Sequence, residues 1–320
     1  MVGKIVGTGR YVPNNVLTNE DLSKMVDTSD EWIVERTGIK TRYITEDDTT
    51  SSMAIKASVK AMEDSKVDPM DIDMIIVATL TPDVLVPSVS CYVQAHIGAK
   101  NAQCMDINSA CTGFLMAYQI AQSYIESGSV KNALLIGAEN LSAITDFTDR
   151  SNCIIFGDGA GACVLSPAEG RVISIMRTDG ERGKVLEAES RTPKDWKERE
   201  EKKLTYIRME GQEVFKFATK EVPNVINEIL EKAEVKKEDL DYLILHQANK
   251  RIIDFIIKRL KIDPSKVPTN IARYGNTSAA SIPLLIDEMN REGKFKNGQK
   301  LVIAGFGGGL SWGASYIEIK

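Results

Sequence analysis

A chain of 320 residues with 43% hydrophobic side chains is long enough to bury one large core or two smaller ones. Its net charge of −5 at pH 7 gives no overall attraction to nucleic acid or to an anionic membrane, so an acidic partner would need a local basic patch. The first residues, MVGKIVG, hold no long apolar run, and we expect neither a signal peptide nor a membrane span. These properties predict a cytoplasmic, globular protein.

The five cysteines are an odd number and include no Cys-x-x-Cys pair, which argues against a disulfide framework and against a structural zinc site. We therefore expect a reducing compartment and no structural zinc. The two histidines, His96 and His246, leave few candidates for an imidazole acid or base. His96 lies in a predicted helix, where packing is its expected role.

Along the chain, two regions repeat each other. Segment 57–77, ASVKAMEDSKVDPMDIDMIIV, aligns with segment 225–245, VINEILEKAEVKKEDLDYLIL, at a sequence offset of 168 (225 − 57). The same offset places Asn108 on Asn276 and Gly137 on Gly305. A constant offset over three separated segments indicates a duplicated supersecondary unit. The FGDG motif at 156 matches FGGG at 306 with a smaller offset of 150 (306 − 156), so the first half carries an extra loop.

Helical patterns alternate with short β-branched runs such as MIIV at 74–77 and YLIL at 242–245, which predicts two α/β halves with buried sheets. We place these halves at residues 1–168 and 169–320. The charged segment 184–203, KVLEAESRTPKDWKEREEKK, breaks the pattern. We expect it to be a solvated surface excursion, with Trp196 as a local anchor.

Cys111 lies where an apolar strand end runs into the first turn of a predicted helix. Apolar residues at helical spacing from Phe114 to Ile125 indicate the helix, Asn108 or Ser109 can cap it, and a glycine ends it. Unpaired backbone N–H groups and the helix dipole favour a thiolate there, so we expect a lowered cysteine pKa and a nucleophile near neutral pH. The alternative is a small, inert, buried side chain.

Two polar residues and a glycine run accompany this cysteine. His246 follows the run 242–245 and thus stands at the carboxyl end of a predicted strand, where ligands and catalytic groups collect in α/β folds. Asn276 lies in the repeat's counterpart of the Cys111 segment. Its sequence position is compatible with two roles, a helix N-cap and a catalytic hydrogen-bond donor. The glycine-rich run 305–313 allows a close backbone approach and can aim N–H groups at an oxyanion, although a tight turn before a strand explains it more simply.

Four motifs in this order resemble the β-ketoacyl-[acyl carrier protein] synthase III family: SACTG at 109–113, HQAN at 246–249, GNTS at 275–278 and GGG at 307–309. DEWIVERTGI at 30–39 resembles the family's CoA-recognition segment, and FGDGAGA at 156–162 resembles its first glycine turn. The resemblance spans nearly the whole chain. It implies the thiolase fold, an internally duplicated five-layer αβαβα architecture that usually forms a homodimer.

The resemblance also implies a reaction that starts fatty acid synthesis. Cys111 takes the acyl group of an acyl-CoA primer, and malonyl-ACP then loses CO2 and attacks that thioester, giving 3-ketoacyl-ACP and free CoA. Backbone N–H groups of Cys111 and Gly308 would hold the tetrahedral oxyanion, and Phe306 would shape the site. His246 and Asn276 would donate hydrogen bonds to the enolate oxygen. No metal and no permanently bound cofactor are implied.

Binding residues for both substrates follow from the same resemblance. Those implied for CoA are Thr28, Trp32, Arg36, Arg150 and Asn249, with the adenine between Trp32 and Arg150 and the phosphate end near Arg36 and Thr28. Those implied for the acidic carrier protein are Gln247, Lys216, Arg251, Lys258 and Arg259. Without the resemblance, the tryptophan and the arginines would be interpreted as an interfacial aromatic and solvated charges.

One residue departs from part of the family. Val86 precedes a proline at a position where some members carry a bulky aromatic side chain, which crosses the dimer and shortens the primer pocket. Valine there predicts tolerance for primers longer than acetyl.

Other functions stay open at this point. A degradative thiolase would be expected to carry a second catalytic cysteine in its C-terminal glycine motif, whereas no cysteine follows Cys163. A secondary-metabolite synthase could use the same three residues. A cysteine hydrolase would need a direct Cys–His pair oriented by asparagine. A non-catalytic scaffold that binds the carrier protein would not need a cysteine at a helix start.

Overall fold

The computed structural model describes residues 1–189 and 206–319. The strands are, in chain order, β1 (Val2–Tyr11), β2 (Val16–Thr18), β3 (Thr41–Tyr43), β4 (Met74–Ala78), β5 (Gln103–Ile107), β6 (Ala133–Glu139), β7 (Gly159–Ala168), β8 (Gly170–Thr178), β9 (Leu186–Glu187), β10 (Arg208–Met209), β11 (Tyr242–Leu245), β12 (Lys300–Gly307) and β13 (Ser311–Ile319). The α-helices are α1 (Asn19–Ser23), α2 (Asp30–Thr37), α3 (Thr50–Ser65), α4 (Val89–Ile97), α5 (Gly113–Glu126), α6 (Arg150–Cys153), α7 (Gly211–Ala233), α8 (Lys250–Leu260), α9 (Ile271–Tyr274) and α10 (Ser281–Arg291).

Two mixed sheets organise these elements. The first has the order β1-β7-β6-β4-β5, with β4 parallel to β5 and β6 and with β7 antiparallel to its neighbours. The second has the order β11-β12-β13-β8, with β11 and β12 parallel and the other pairs antiparallel. Since β4 and β11 are buried on both faces, their apolar residues need helices on each side.

The helices cover the sheets in five layers. Helices α3 and α4 pack on the outer face of the first sheet, and α7 and α8 pack on the outer face of the second. Helices α5 and α10 lie between the sheets, where apolar side chains of both contact them. The predicted thiolase fold, with its αβαβα layering, is therefore confirmed.

The duplication extends to the local geometry of the two short turns that precede the central helices. A 3₁₀ turn at Ala110–Thr112 leads into α5, and its counterpart at Ser278–Ala280 leads into α10. Ala110 and Ser278 both adopt a left-handed backbone, with φ of 44° and 47°. The side chain of Asn108 accepts from the Ala110 N–H at 3.2 Å, and that of Asn276 accepts from the Ser278 N–H at 2.8 Å. The same sequence pattern has thus produced the same turn twice.

The duplication is imperfect in one place. In the described part of the chain the second sheet has the strands β11, β12, β13 and β8, and α9 lies where the repeat would put a counterpart of β5 (271 − 103 = 168). The segment IARY there is bounded by Asn270, whose carbonyl receives the Arg273 N–H in a helical turn. The repeat alone did not reveal this replacement of a strand by a helix.

Two smaller predictions need correction. His96 lies exposed near the end of α4, so its expected packing role is wrong. The first residues of the charged segment 184–203 are also not a solvated excursion, because Val185 and Leu186 pack against the core of the second sheet and β9 pairs with β10. Trp196 and the other residues from 190 to 203 lie outside the described residues. None of the described helices combines the length and apolar character needed to cross a membrane.

Candidate active site

Cys111 lies in the 3₁₀ turn that joins β5 to α5, two residues before the helix begins. The predicted apolar stripe of α5 is buried from Phe114 to Ile125, except for Tyr124 on the exposed side. Ser109, one of the two expected caps, bonds instead to the Thr112 hydroxyl at 2.9 Å. The cysteine is 8% exposed, at the bottom of a cavity between the two halves of the fold.

The thiol is protonated in this resting site. Burial raises the pKa of the Cys111 thiol to about 12, the nearby Glu139 carboxyl adds to that rise, and the nearby Ser278 hydroxyl opposes it. The prediction of a lowered pKa is therefore wrong, because desolvation outweighs the favourable field of the helix start.

Glu139 is a buried acid that the sequence analysis missed. It ends β6 and is fully buried, and its carboxylate accepts from the Thr81 hydroxyl at 2.8 Å and the Leu80 N–H at 3.1 Å. Burial raises its pKa to about 7 against those hydrogen bonds. An acidic residue at the carboxyl end of the apolar run ALLIGAE was the signal that could have identified it.

His246 follows β11, as predicted, and is 3% exposed. Its Nδ1 lies 2.6 Å from the Ser281 hydroxyl, and its ring packs edge-on against Phe306 with 5.5 Å between centroids. Burial lowers its pKa to about 3, so the imidazole is neutral at physiological pH. Its Nε2 is buried without a hydrogen-bond partner. The residue therefore lines the cavity as an uncharged ring with one free nitrogen.

Asn276 stabilises the turn before α10 and also lines the cavity, although Thr277 is the N-cap residue of that turn. Its Oδ1 accepts from the Ser278 N–H at 2.8 Å, and its backbone N–H donates to the Ile155 carbonyl at 2.9 Å. These bonds hold the carboxamide with its oxygen engaged in the turn. Because the residue also lines the cavity, the Nδ2 group is the donor left for a ligand.

One cavity of about 1170 Å³ brings most of the predicted residues together. Its lining includes Cys111, His246, Asn276, Phe306 and Gly308, together with Trp32, Arg36, Asn249, Lys216 and Arg251. The predicted residues that it does not include are Thr28, Arg150, Gln247, Lys258 and Arg259. Cys111 from the first half of the chain thus lines the same cavity as His246 and Asn276 from the second half.

The glycine turn after β12 approaches Cys111 closely. A Cβ atom on Gly307 would stand 2.8 Å from the Cys111 nitrogen, closer than such contacts allow, so glycine is required there. The Ser311 hydroxyl donates to the Gly308 carbonyl at 2.9 Å and bonds to the Thr112 hydroxyl at 2.8 Å. These hydroxyls fasten the glycine turn to the nucleophile turn, and sequence reasoning did not single them out.

The predicted CoA residues meet around Trp32. The guanidinium of Arg36 lies 4.2 Å from the ring centroid and that of Arg150 lies 4.8 Å from it, so an adenine would enter between Trp32 and Arg150 only after Arg150 moved. Asn249 caps α8 and donates to the Arg36 carbonyl at 3.0 Å, which ties α8 to α2. Thr28 has a buried hydroxyl without a partner and is not brought to the cavity.

Four of the five predicted carrier-protein residues are exposed cations. They are Lys216 on α7 and Arg251, Lys258 and Arg259 on α8. Lys216 and Arg251 also line the cavity, so these two exposed cations border its opening. The prediction for Gln247 is wrong, because its side chain is 1% exposed and is bonded to the Leu245 carbonyl and the Asn270 N–H. It holds the loop after β11 in place.

All five cysteines are free thiols. Within the described ranges no group of three or more histidine, cysteine, aspartate or glutamate side chains is arranged to hold a metal ion.

Comparisons with known proteins agree on one family. Residues 105–180 match the family described as 3-oxoacyl-[acyl-carrier-protein] synthase III, and residues 230–319 match the C-terminal part of the same enzyme. The chain is 48% identical, over 98% of each chain, to β-ketoacyl-[acyl-carrier-protein] synthase III of Clostridium novyi. The crystal structure of the synthase III of Aquifex aeolicus superposes with a TM-score of 0.92 at 46% identity, covering 99% of each chain. The priming β-ketosynthase of the R1128 polyketide pathway superposes with a TM-score of 0.94 at 34% identity, covering 100% of this chain and 97% of that one.

Proposed function

The chain belongs to the 3-oxoacyl-[acyl-carrier-protein] synthase III family of condensing acyltransferases, and from that premise we propose that Cys111 transfers an acyl group from acyl-CoA to malonyl-ACP. The observation that carries the proposal is that Cys111, His246 and Asn276 line one cavity. The product is 3-ketoacyl-ACP, which begins fatty acid synthesis, with release of CoA and CO2. A thiolase alternative lacks the second catalytic cysteine, since no cysteine follows Cys163.

The first step is acyl transfer to Cys111. As the acyl-CoA thioester arrives, the sulfur loses its proton and attacks the carbonyl carbon, and the departing CoA thiolate leaves with a proton. The oxyanion of the tetrahedral intermediate is held by backbone N–H groups of Cys111 and Gly308. The close approach of the glycine turn to Cys111, and the Ser311 bond that fixes Gly308, support this arrangement.

The second step forms the carbon–carbon bond. The bond between the malonyl methylene and its carboxylate breaks, CO2 leaves, and the electron pair develops as an enolate on the thioester oxygen. That enolate carbon then attacks the acyl thioester, and the Cys111 thiolate leaves. Neutral His246 and the Asn276 carboxamide donate to the enolate oxygen, and each such donor is worth roughly 10²–10³ in rate. The lowered pKa of His246 supports a role as donor rather than as cation.

Both substrates enter by the same mouth in this scheme. Trp32 and Arg36 line it and offer stacking and charge to the CoA nucleotide. Lys216, Arg251 and their neighbours on α8 offer positive charge to an acidic carrier protein despite the net charge of −5. Sulfur, imidazole, carboxamide and backbone donors supply each group that the two steps need, so we propose no permanently bound cofactor.

We further propose a homodimer formed on the free edge of the first sheet. β5 is the edge strand there, with β4 as its described neighbour, and an edge strand offers unpaired backbone groups to another chain. Leu85 and Val86, in the loop before α4, are 64% and 86% exposed. A second copy that pairs on β5 would cover this apolar loop and receive Val86 at its primer pocket. Size-exclusion chromatography with light scattering tests the dimer, and a monomer at micromolar concentration would refute it.

Primer choice follows from Val86. Its small side chain leaves more room than an aromatic one, so isobutyryl-CoA and longer primers should acylate the enzyme as well as acetyl-CoA does. Val86→Phe should restrict the range to acetyl-CoA, whereas Leu85→Phe serves as the matched control. Strict acetyl preference of the natural protein would refute the proposal.

We also propose that the protein works in the cytoplasm. All five of its cysteines are free thiols, and such thiols persist in a reducing compartment. Fractionation of the source cells with an antibody to the chain tests this placement. Recovery from the medium or a membrane fraction would contradict it.

The decisive experiment is mass spectrometry of the intact protein after incubation with acyl-CoAs. The natural protein and Cys153→Ser, in which another buried thiol is removed, should both gain one acyl group, and Cys111→Ser should gain none. Addition of malonyl-ACP should then discharge the acyl group as 3-ketoacyl-ACP. Discharge by water alone would instead identify a cysteine hydrolase, and a strong preference for a polyketide carrier protein would favour the priming of a secondary metabolite.

A further inference from the structure

His246 lines the cavity, with its Nδ1 on the Ser281 hydroxyl and its Nε2 buried without a partner. A neutral imidazole carries a single proton, so the nitrogen that holds it donates and the other accepts. The structure gives two contacts to the Ser281 oxygen: His246 Nδ1 at 2.6 Å and the Gln247 backbone nitrogen at 3.4 Å. Ser281 is fully buried, so water does not compete for its hydroxyl.

The hydrogen-bond partners of Ser281 indicate which way its hydroxyl points. A backbone N–H can act only as a donor, so the Ser281 oxygen accepts from Gln247. The oxygen could accept a second hydrogen bond, but the proton of a fully buried hydroxyl also needs an acceptor. Among the described residues the acceptor within hydrogen-bond distance of Ser281 Oγ is His246 Nδ1, so we assign the hydroxyl proton to that nitrogen. The imidazole proton must therefore sit on Nε2, the buried nitrogen without a partner.

We propose that Ser281 is a positioning residue that holds His246 in the tautomer with its proton on Nε2. This inference rests on the proposed function for its consequence but not for its geometry. With the proton on Nε2, the cavity receives a neutral N–H donor suited to an enolate oxygen. With the opposite tautomer it would receive a lone pair, which repels that oxygen and raises the barrier to decarboxylation.

The first half of the fold provides an internal comparison. By the sequence repeat, His246 corresponds to Ala78 (246 − 78 = 168) and Ser281 corresponds to Gly113 (281 − 113 = 168). These two face each other as well, since a Cβ atom on Gly113 would stand 2.9 Å from the Ala78 Cβ. The fold thus brings this pair of positions together in both halves, and in the second half alone the pair carries an imidazole and a hydroxyl.

The tautomer can be measured directly by NMR on protein labelled with ¹⁵N-histidine. The chain has two histidines, so His96→Gln, which alters an exposed side chain, leaves His246 as the single labelled residue. We expect Nε2 to carry the proton and Nδ1 to resonate as an unprotonated acceptor at neutral pH. A spectrum with the proton on Nδ1 would overturn the inference, whatever the enzyme does.

Kinetics then test the consequence. Ser281→Ala should slow malonyl-ACP decarboxylation about 10-fold, a part of the loss expected for removal of a whole donor, while acylation of Cys111 keeps its rate. Ser281→Thr, which keeps the hydroxyl, should restore both the decarboxylation rate and the ¹⁵N spectrum. Equal loss of acylation and decarboxylation in Ser281→Ala, or failure of Ser281→Thr to rescue, would reduce Ser281 to a packing residue and refute its positioning role. Unimpaired decarboxylation in His246→Ala would instead refute the proposed function and leave the spectrum to decide the tautomer.

Discussion

The burial of His246 makes the protein sensitive to acid in a way that can be calculated. In the folded state burial lowers its pKa from the ordinary 6.5 to about 3. Below pH 6.5 the unfolded chain therefore binds a proton at this residue that the folded protein does not bind. Since stability rises with pH wherever the unfolded state binds more protons, His246 destabilises the fold progressively from pH 6.5 down to about pH 3.

At pH 5 the loss of stability is set by the pKa of His246 in the unfolded chain, because the pKa in the folded protein lies well below 5. Each pH unit between 5 and 6.5 is worth about 1.4 kcal/mol, so protonation of the unfolded chain lowers the free energy of unfolding by about 2 kcal/mol at pH 5. At pH 8 the contribution is absent. Replacement of His246 by glutamine removes this acid-dependent part and leaves any packing cost, which is the same at both pH values.

The assay is chemical unfolding of the natural protein and His246→Gln at pH 8 and pH 5, at one protein concentration. The stability of the variant relative to the natural protein should improve by about 2 kcal/mol at pH 5 compared with pH 8. His96→Gln serves as the matched control, because His96 is exposed on α4. If the difference between His246→Gln and the natural protein were the same at both pH values, His246 would not be a buried neutral imidazole. The mechanism that uses it as a neutral donor would then fail as well.

Three further outcomes test other parts of the site. Gly307→Ala should lower the free energy of unfolding by about 1–3 kcal/mol, because the added Cβ atom would overpack against Cys111. Gly308→Ala should lower it less, because the atom nearest to its added Cβ would be 3.3 Å away. Equal shifts of the melting temperature in the two variants would contradict this. The free energy of unfolding of Glu139→Gln, relative to that of the natural protein, should rise by roughly 2–3 kcal/mol from pH 5 to pH 8. The reason is that burial raises the pKa of Glu139 to about 7 and makes its ionisation costly in the folded state. Parallel stability profiles of the two proteins over this pH range would contradict the prediction. Trp32→Ala should raise the KM for acyl-CoA several-fold with kcat unchanged, in line with a lost stacking contact, and a fall in kcat alone would place Trp32 outside the CoA site.

The sequence determined the architecture because its signals are local and repeated. Hydrophobic period, β-branched runs and the constant offset between the two repeated regions predicted two α/β halves, and the αβαβα layering confirmed that fold. The same signals placed Cys111 before a helix and His246 after a strand, as the structure has them. The offset also made Asn276 a candidate, and the matching turns at Asn108 and Asn276 explain why. The catalytic roles of these residues stay predictions.

Tertiary structure decided what depends on neighbours far along the chain. The thiol pKa was predicted to fall because a helix start is visible in the sequence, yet it rises because elements from both halves bury the sulfur. Gln247 reads as a polar loop residue and is buried by packing that no local pattern announces. Ser281 at the start of α10 contacts His246 after β11, and Glu139 at the end of β6 lies near Cys111 in its 3₁₀ turn. Desolvation and hydrogen-bond partners belong to the assembled fold, since a side chain loses water only when distant segments close over it.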